Sequence, residues 1–303
     1  MPRVSVALPV HNGSRYLAKS LECILGQSFG DLELIISDNA STDDTQAISC
    51  AYARRDNRVL YVRQTENLGA AANFNAAYAL TQGEYFKWAT HDDLLAPDFL
   101  EQCVAALEHD PSAVLCAPAA RLIDANGEPL RPCGDKHWYV DSKGERWYIP
   151  MVRHAETQAR DAATRFRAFV TQPPLCFDVF GLIRRSAMER TSLIGPYWGG
   201  DKVFLSELCL IAPFVLLDAP LLWRRCHKAQ SSALSRRDRE SWIAEGRRIP
   251  TFQQPRMLFQ YVRVLGRHDL SRGQKARCVM FLIGRSGSPA KIREVARAFF
   301  ARN

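Results

Sequence analysis

The chain has little of what several large protein classes require. Its nine cysteines stand at 23, 50, 103, 116, 133, 176, 209, 226 and 278, with no Cys-x-x-Cys pair and an odd total. That spacing argues against a disulfide framework and offers no close thiolate pairs for a structural zinc. Long apolar runs are also missing. The longest, Leu208 to Leu217, contains Pro213 and falls short of the roughly 18 residues that suggest a membrane span. The first apolar run, from Val4, is cut by Pro9, His11 and Asn12, too soon for a signal peptide. These absences predict free thiols and a cytoplasmic protein, peripheral at the inner membrane face at most. There is no internal repeat, no low-complexity segment and no RNP-like strand, so a nucleic-acid partner is not expected. A glycine-rich phosphate loop is absent too: the segment after the first apolar run reads Pro9-Val10-His11-Asn12-Gly13-Ser14, with one glycine and no lysine.

What is present suits a globular chain with a sizeable core: 303 residues, 47% hydrophobic, 10% aromatic and 24% charged. The formal net charge of +8 favours phosphate-bearing partners in general. The excess gathers after Arg236, through Arg256, Arg263, Arg267, Arg272, Arg277 and Arg285 to Lys291, Arg293 and Arg297. On the last stretch these alternate with Ile292, Val295, Phe299 and Phe300. Such a surface suits either packing against the rest of the protein or contact with anionic lipid.

Apolar patterning predicts strands at Val4–Val10, Leu32–Ile36, Val59–Val62, Tyr85–Ala89 and Ala113–Ala117, alternating with helices at Ser14–Leu25, Thr45–Arg55, Gly69–Leu80 and Pro97–Leu107. Proline in the first turn and early aspartates suit helix starts. Alternating strands and helices predict an α/β fold with a mostly parallel, Rossmann-like sheet flanked by helices and right-handed crossovers. Residues 121–175 read as an excursion on the acceptor side, Val179–Ile183 and Val215–Leu217 as short strands, and 231–303 as a helical basic extension of a domain spanning 1–230. Ligands of such sheets bind beyond the carboxyl ends of the strands.

Four clusters fall in those loops or their equivalents. Asp38, in Ser37-Asp38-Asn39-Ala40-Ser41-Thr42-Asp43-Asp44, stands where a carboxylate can accept from the ring N–H of a base. Ser41, Asp43 and Asp44 serve equally well as a helix start. Thr90-His91-Asp92-Asp93 sets two acids side by side at a strand end, a repulsion that a hard divalent cation relieves; a plain polar loop is the competing reading. Tyr197-Trp198-Gly199-Gly200-Asp201 offers either a general base or a helix cap. Arg224-Arg225-Cys226-His227 combines phosphate-seeking arginines with a histidine able to bind metal or simply to pack.

Taken in order and spacing, Val6 to Gly13, Glu33 to Asp43, Asn67-Leu68-Gly69, His91-Asp92-Asp93, Gly200-Asp201 and Arg225-x-His227 resemble the family-2 glycosyltransferases of GT-A fold, over about residues 3 to 230. The resemblance implies an inverting, metal-dependent transfer of a sugar from a nucleoside-diphosphate sugar, UDP foremost and dTDP or GDP next, to a hydroxyl acceptor such as a cell-surface glycan, a lipid-linked glycan or a secondary metabolite. It implies a base and ribose pocket at Pro9, Val10 and His11, with Asp38 on the pyrimidine N–H. Asn67 and Gly69 would lie near the nucleotide, Asp93 at metal or sugar, and Arg225 on the diphosphate. Asp92 and His227 would hold Mg²⁺ or Mn²⁺, and Asp201 would be the catalytic base. One departure stands out: Thr90 occupies the place of the first acid of the family's Asp-x-Asp motif. Two other functions are weighed beside this one, a nucleotidyltransferase and a non-catalytic nucleotide-sugar binder.

Overall fold

A computed structural model gives the fold, and it describes residues 1–151, 153, 155–171, 176–244 and 253–286. The first strand, β1 (Val4–Val10), is buried at every position, as a continuous apolar run in a covered sheet should be. It leads into α1 (Ser14–Leu25), which buries Tyr16, Leu17, Leu21 and Ile24 along one face. Then follow β2 (Leu32–Asp38), α2 (Thr45–Arg55), β3 (Val59–Arg63), α3 (Ala70–Ala79), β4 (Tyr85–Trp88), β5 (Leu94–Leu95), α4 (Phe99–His109) and β6 (Leu115–Ile123). Each aliphatic side chain buried between sheet and helices is worth roughly 1.5–3 kcal/mol, so the patterned face of each element sets its place.

The excursion folds into its own antiparallel sheet of β7 (Arg131–Pro132), β8 (Trp138–Val140) and β9 (Arg146–Tyr148). The chain returns through α5 (Ala162–Thr171), a single 3₁₀ turn at Phe177–Phe180, β10 (Leu182–Arg184) and α6 (Arg185–Met188). It continues as α7 (Gly200–Ile211) and β11 (Phe214–Arg225), then a 3₁₀ turn at Ser231–Ala233 and the helices α8 (Arg236–Ala244), α9 (Gln253–Arg267) and α10 (Arg272–Ser286).

The main sheet runs β3-β2-β1-β4-β10-β6-β11-β5. The pairs β2–β3, β1–β2, β1–β4 and β6–β11 are parallel. Antiparallel β10 is wedged between β4 and β6, and β5 pairs antiparallel with β11 at the edge. The sheet is therefore a mixed α/β sheet, parallel in its first half. The strand expected over Val179–Ile183 is replaced by the 3₁₀ turn and β10. Gly181 separates them because any side chain there would meet the Cys116 carbonyl at 2.4 Å.

The described part of the C-terminal extension packs on the sheet domain. Tyr261, Val262, Val264 and Leu265 of α9, with Cys278 and Leu282 of α10, share a core with Phe166, Tyr197, Val203 and Leu210. Among the described residues no helix is long and apolar enough to cross a membrane. The basic stretch at Lys291, Arg293 and Arg297 lies outside the described residues.

Candidate active site

The ends of β1, β2 and β4 and the turn after β11 surround a cavity of about 660 Å³. A smaller chamber of about 150 Å³ adjoins it, bounded by the start of α7 and the Phe177–Phe180 turn. Phe74, Phe180, Arg224 and Trp242 line both, so the two are halves of one cleft parted by shared side chains.

The larger chamber is floored by the loop after β1. Pro9, Val10 and His11 line it, and residues of the Ser37–Thr45 stretch brace the turn that follows them. Asn12 N–H donates to Ser41 Oγ at 2.9 Å, Gly13 N–H to Thr45 Oγ1 at 2.9 Å and Ser14 N–H to Asp43 Oδ2 at 3.0 Å. Asn12 holds φ +52 and Ala40 φ +57, left-handed conformations that such mutual bracing can sustain. His11 Nδ1 donates to the Asn39 carbonyl at 2.9 Å.

Asp38 itself does not reach the wall. It is fully buried, with Oδ1 accepting Ser41 N–H at 2.8 Å and Oδ2 accepting Tyr61 Oη–H at 2.8 Å and Arg63 Nη1 at 3.0 Å. The expected carboxylate contact with a base ring is thus replaced by an internal tie. Asn39 stands on the wall instead, beside Asn67. Asn39 Nδ2 donates to Asn67 Oδ1 at 2.6 Å, and Leu68 N–H donates to Asn39 Oδ1 at 2.8 Å. Gly69 is off the wall; at φ +80 it begins α3, its N–H donating to Asn67 Oδ1 at 3.0 Å.

Asp92 lines the larger chamber together with His227, Thr90 and His91. Its Oδ2 lies 3.0 Å from His227 Nε2. Burial alone would push its carboxyl up, but His227 and the nearby charges outweigh it and hold Asp92 below the usual carboxylate range. Asp93 turns inward. It accepts the Arg225 backbone N–H at 2.9 Å and pairs with Arg224 at 3.2 Å. Burial, with Asp92 alongside, holds it above the usual range despite Arg224.

The two arginines of β11 part company because successive strand residues face opposite ways. Arg224 enters the cleft, lying over the rings of Phe177 at 5.0 Å and Phe180 at 5.8 Å. Arg225, expected on the diphosphate, is a buried brace. Its Nε donates to the Asp92 carbonyl at 2.8 Å, its Nη1 to the Asp124 and Ala125 carbonyls at 3.1 and 3.2 Å, and its guanidinium stacks on Tyr16 at 4.6 Å.

Asp201 lines the smaller chamber with Phe74, Ile194, Tyr197 and Trp198. It is the second residue of α7, and its Oδ1 accepts the Lys202 N–H at 2.8 Å. The helix is capped at Gly199 without a side-chain cap bond, so Asp201 does not serve as its cap and instead faces the cleft from the first turn. Burial raises its carboxyl above the usual range.

The donor set fits a hard divalent cation only in part. Asp92 and His227 supply one carboxylate oxygen and one imidazole nitrogen facing the larger chamber, and no group of three or more such ligands converges among the described residues. This suits an ion that draws its other ligands from a substrate diphosphate rather than from a protein cage. Thr90 occupies the wall where a further acid would complete the set.

Comparisons with known proteins give the family and the fold. The profile of "Glycosyl transferase family 2" matches residues 5–191. Chondroitin synthase of Escherichia coli is 35% identical over 154 residues, 51% of this chain and 22% of that protein. The putative glycosyltransferase EpsE of Bacillus subtilis (strain 168) is 40% identical over 108 residues, covering 35% of this chain and 39% of that one. The chain thus spans less than half the length of these relatives. Among solved structures, S. aureus TarS 1-349 in complex with UDP superposes with a TM-score of 0.64 at 15% identity, covering 95% of this chain and 72% of that one. The mannosyltransferase PcManGT from Pyrobaculum calidifontis, in complex with GDP-Man and Mn²⁺, gives 0.54 at 18% identity, covering 99% and 74%. At that identity the likeness speaks for the fold. The profile match covers more than half of the 303 residues, and the chain therefore belongs to glycosyl transferase family 2, with a GT-A-type fold.

Proposed function

We propose that this glycosyltransferase moves a sugar, with inversion, from a nucleoside-diphosphate donor in the larger chamber to a hydroxyl acceptor in the smaller one. The observation that carries the reading is the placing of Asp92 and Asp201 in adjoining chambers, with Arg224 on the wall of both. UDP is the favoured nucleotide, with dTDP and GDP as alternatives. Asn39, Asn67 and His11 are the polar groups on the wall that suit a base and ribose. The acceptor, a glycan, a lipid-linked glycan or a secondary metabolite, meets a mainly aromatic and aliphatic surface in the smaller chamber.

Asp92 and His227 are the residues that would hold Mg²⁺ or Mn²⁺, and the ion would supply charge neutralisation to the diphosphate. Arg224 offers a second positive group to the same leaving diphosphate. Ionised Asp201 accepts the proton of the acceptor hydroxyl as that oxygen bonds to the anomeric carbon from the side opposite the leaving group. No covalent sugar–enzyme species is needed.

Asp201→Asn keeps size and the Lys202 hydrogen bond while removing basicity. Turnover should fall on the order of 10²–10⁴-fold, with nucleotide affinity little changed; undiminished turnover removes Asp201 from the role. Release of a nucleoside diphosphate separates this reading from a nucleotidyltransferase, which releases pyrophosphate. Failure of any nucleotide sugar to be hydrolysed or transferred favours the non-catalytic binder. Full activity in excess EDTA speaks against the ion.

A further inference from the structure

The smaller chamber depends on a segment with unusual backbone. Between Thr191 and Gly200 the chain forms no strand and no helix, yet it supplies Ile194, Gly195, Tyr197, Trp198 and Gly199 to the wall beside Asp201. Leu193 sits at φ +57, a left-handed conformation that costs a non-glycine residue on the order of 1–3 kcal/mol and persists only where the surroundings impose it. The surroundings here are specific. Ile194 is held from α3, its N–H donating to Asn75 Oδ1 at 3.2 Å and its carbonyl accepting Asn75 Nδ2 at 2.9 Å.

On the other side of Leu193, Ser192 is held by Glu207 of α7. The Ser192 N–H and hydroxyl donate to Glu207 Oε2 at 2.7 and 2.8 Å. Glu207 is a fully buried carboxylate, a state that needs hydrogen-bonded or charged partners. Its second oxygen finds them at the end of α9: His268 Nε2 at 3.1 Å and Arg267 Nε at 3.6 Å. Arg267 Nη1 also donates to Ser192 Oγ at 2.9 Å. Burial opposes ionisation of Glu207, but these partners prevail and lower its pKa below the usual value. Two further contacts from α9 reach the same segment: the Arg256 guanidinium lies 4.9 Å from the Tyr197 ring, and Met257 fills the space where a Gly199 side chain would stand.

We infer that Glu207 is a positioning residue, clamped by His268 and Arg267 to the C-terminal helices, which fixes the Ser192–Gly199 segment and thereby the acceptor-side wall and Asp201. The inference rests on the reading of Asp201 as the proton acceptor. It assigns to α9, which lies beyond the part matched by the family profile, a share in the working site. The floor of the donor chamber, at residues 9–13, is built by the loops after β1 and β2, and no hydrogen bond of the clamp reaches it among the described residues.

The test compares Glu207→Gln, His268→Leu and His268→Gln with the unmodified protein. Three quantities are read: amide exchange over 194–200 and 9–14, affinity for UDP and GDP, and hydrolysis of whichever UDP-, dTDP- or GDP-sugar the unmodified protein turns over. The first two variants should exchange at least about tenfold faster at 194–200 and unchanged at 9–14. They should keep nucleotide affinity within about twofold and lose on the order of 10- to 100-fold in turnover per folded molecule. His268→Gln keeps a side-chain N–H donor and should retain turnover within about threefold. Unchanged exchange at 194–200, or unchanged turnover alongside a lowered melting temperature, reduces the cluster to a structural staple and overturns the inference. If Glu207→Gln does not fold, His268→Leu gives the same readings. If the unmodified protein turns over no nucleotide sugar, the functional reading fails, and loss of UDP or GDP binding together with exchange at 9–14 shows the clamp not to be selective.

Discussion

Adjacent residues with the same side chain divide the labour here. Arg224 faces the cleft while Arg225 holds three backbone carbonyls under it. Arg224→Lys keeps a positive charge beside buried Asp93 and should leave the fold intact, while loss of the planar guanidinium from the cleft should lower turnover on the order of 10-fold. Arg225→Met should instead destabilise by roughly 2–3 kcal/mol, because buried carbonyls lose their donors. Steady-state kinetics beside thermal melts separate the two, and equal kinetic losses without a difference in stability contradict the assignment. Asp201 carries a second expectation. Its carboxyl is raised by burial, so the folded state holds that proton more tightly than the unfolded chain. Its contribution to stability is therefore present at low pH and lost as pH rises through the raised value. Above that raised value the ionised group strains the fold, and there Asp201→Asn should melt higher than the unmodified protein while losing activity. The turnover–pH profile should lose activity on the acid side above the usual carboxylate value of about 3.9.

Elements were legible where one periodicity ran long enough. The helices over Ser14–Leu25 and Thr45–Arg55 match the expected bounds: the first buries a stripe of Tyr16, Leu17, Leu21 and Ile24, and the second rests Ile48, Tyr52 and Ala53 half-buried against the core. The short partners were not legible. β5 has two residues and β10 three, and their pairing is decided by strands far away in the chain. The site divides the same way. The acids at 92 and 201 stand at element ends that sequence can locate. The exchange of Asp38 for Asn39 on the wall depends on Tyr61 and Arg63, which reach across from β3. Arg224 and Arg225 depend on the phase of β11, which shifts between Leu217 and Leu222. At the start of α7 backbone packing leaves no room for a side chain: a methyl on Gly200 would meet the Gly195 carbonyl at 2.3 Å. Gly200→Ala should cost roughly 1–3 kcal/mol and slow turnover by displacing Asp201; a neutral effect on both, seen in melts and initial rates, removes this packing from the account.

At the scale of the molecule, the sequence leaves the basic extension open between packing and lipid contact, and its described helices share a core with α5 and α7. Ending the chain before Gln253 uncovers Phe166, Tyr197, Val203 and Leu210 together, and an exposed apolar patch of that kind drives aggregation. Soluble yield and dye binding to exposed apolar surface should both register the loss. The wedge of β10 between β4 and β6 has a consequence for synthesis. The first four strands emerge from the ribosome with β4 as a raw margin, its backbone groups and its own Phe86 and Trp88 awaiting a mate. That mate arrives only once Leu182–Arg184 has been translated, after the whole excursion. A nascent chain halted in between carries an open, sticky border, so the interval before β10 is where a chaperone has most to guard.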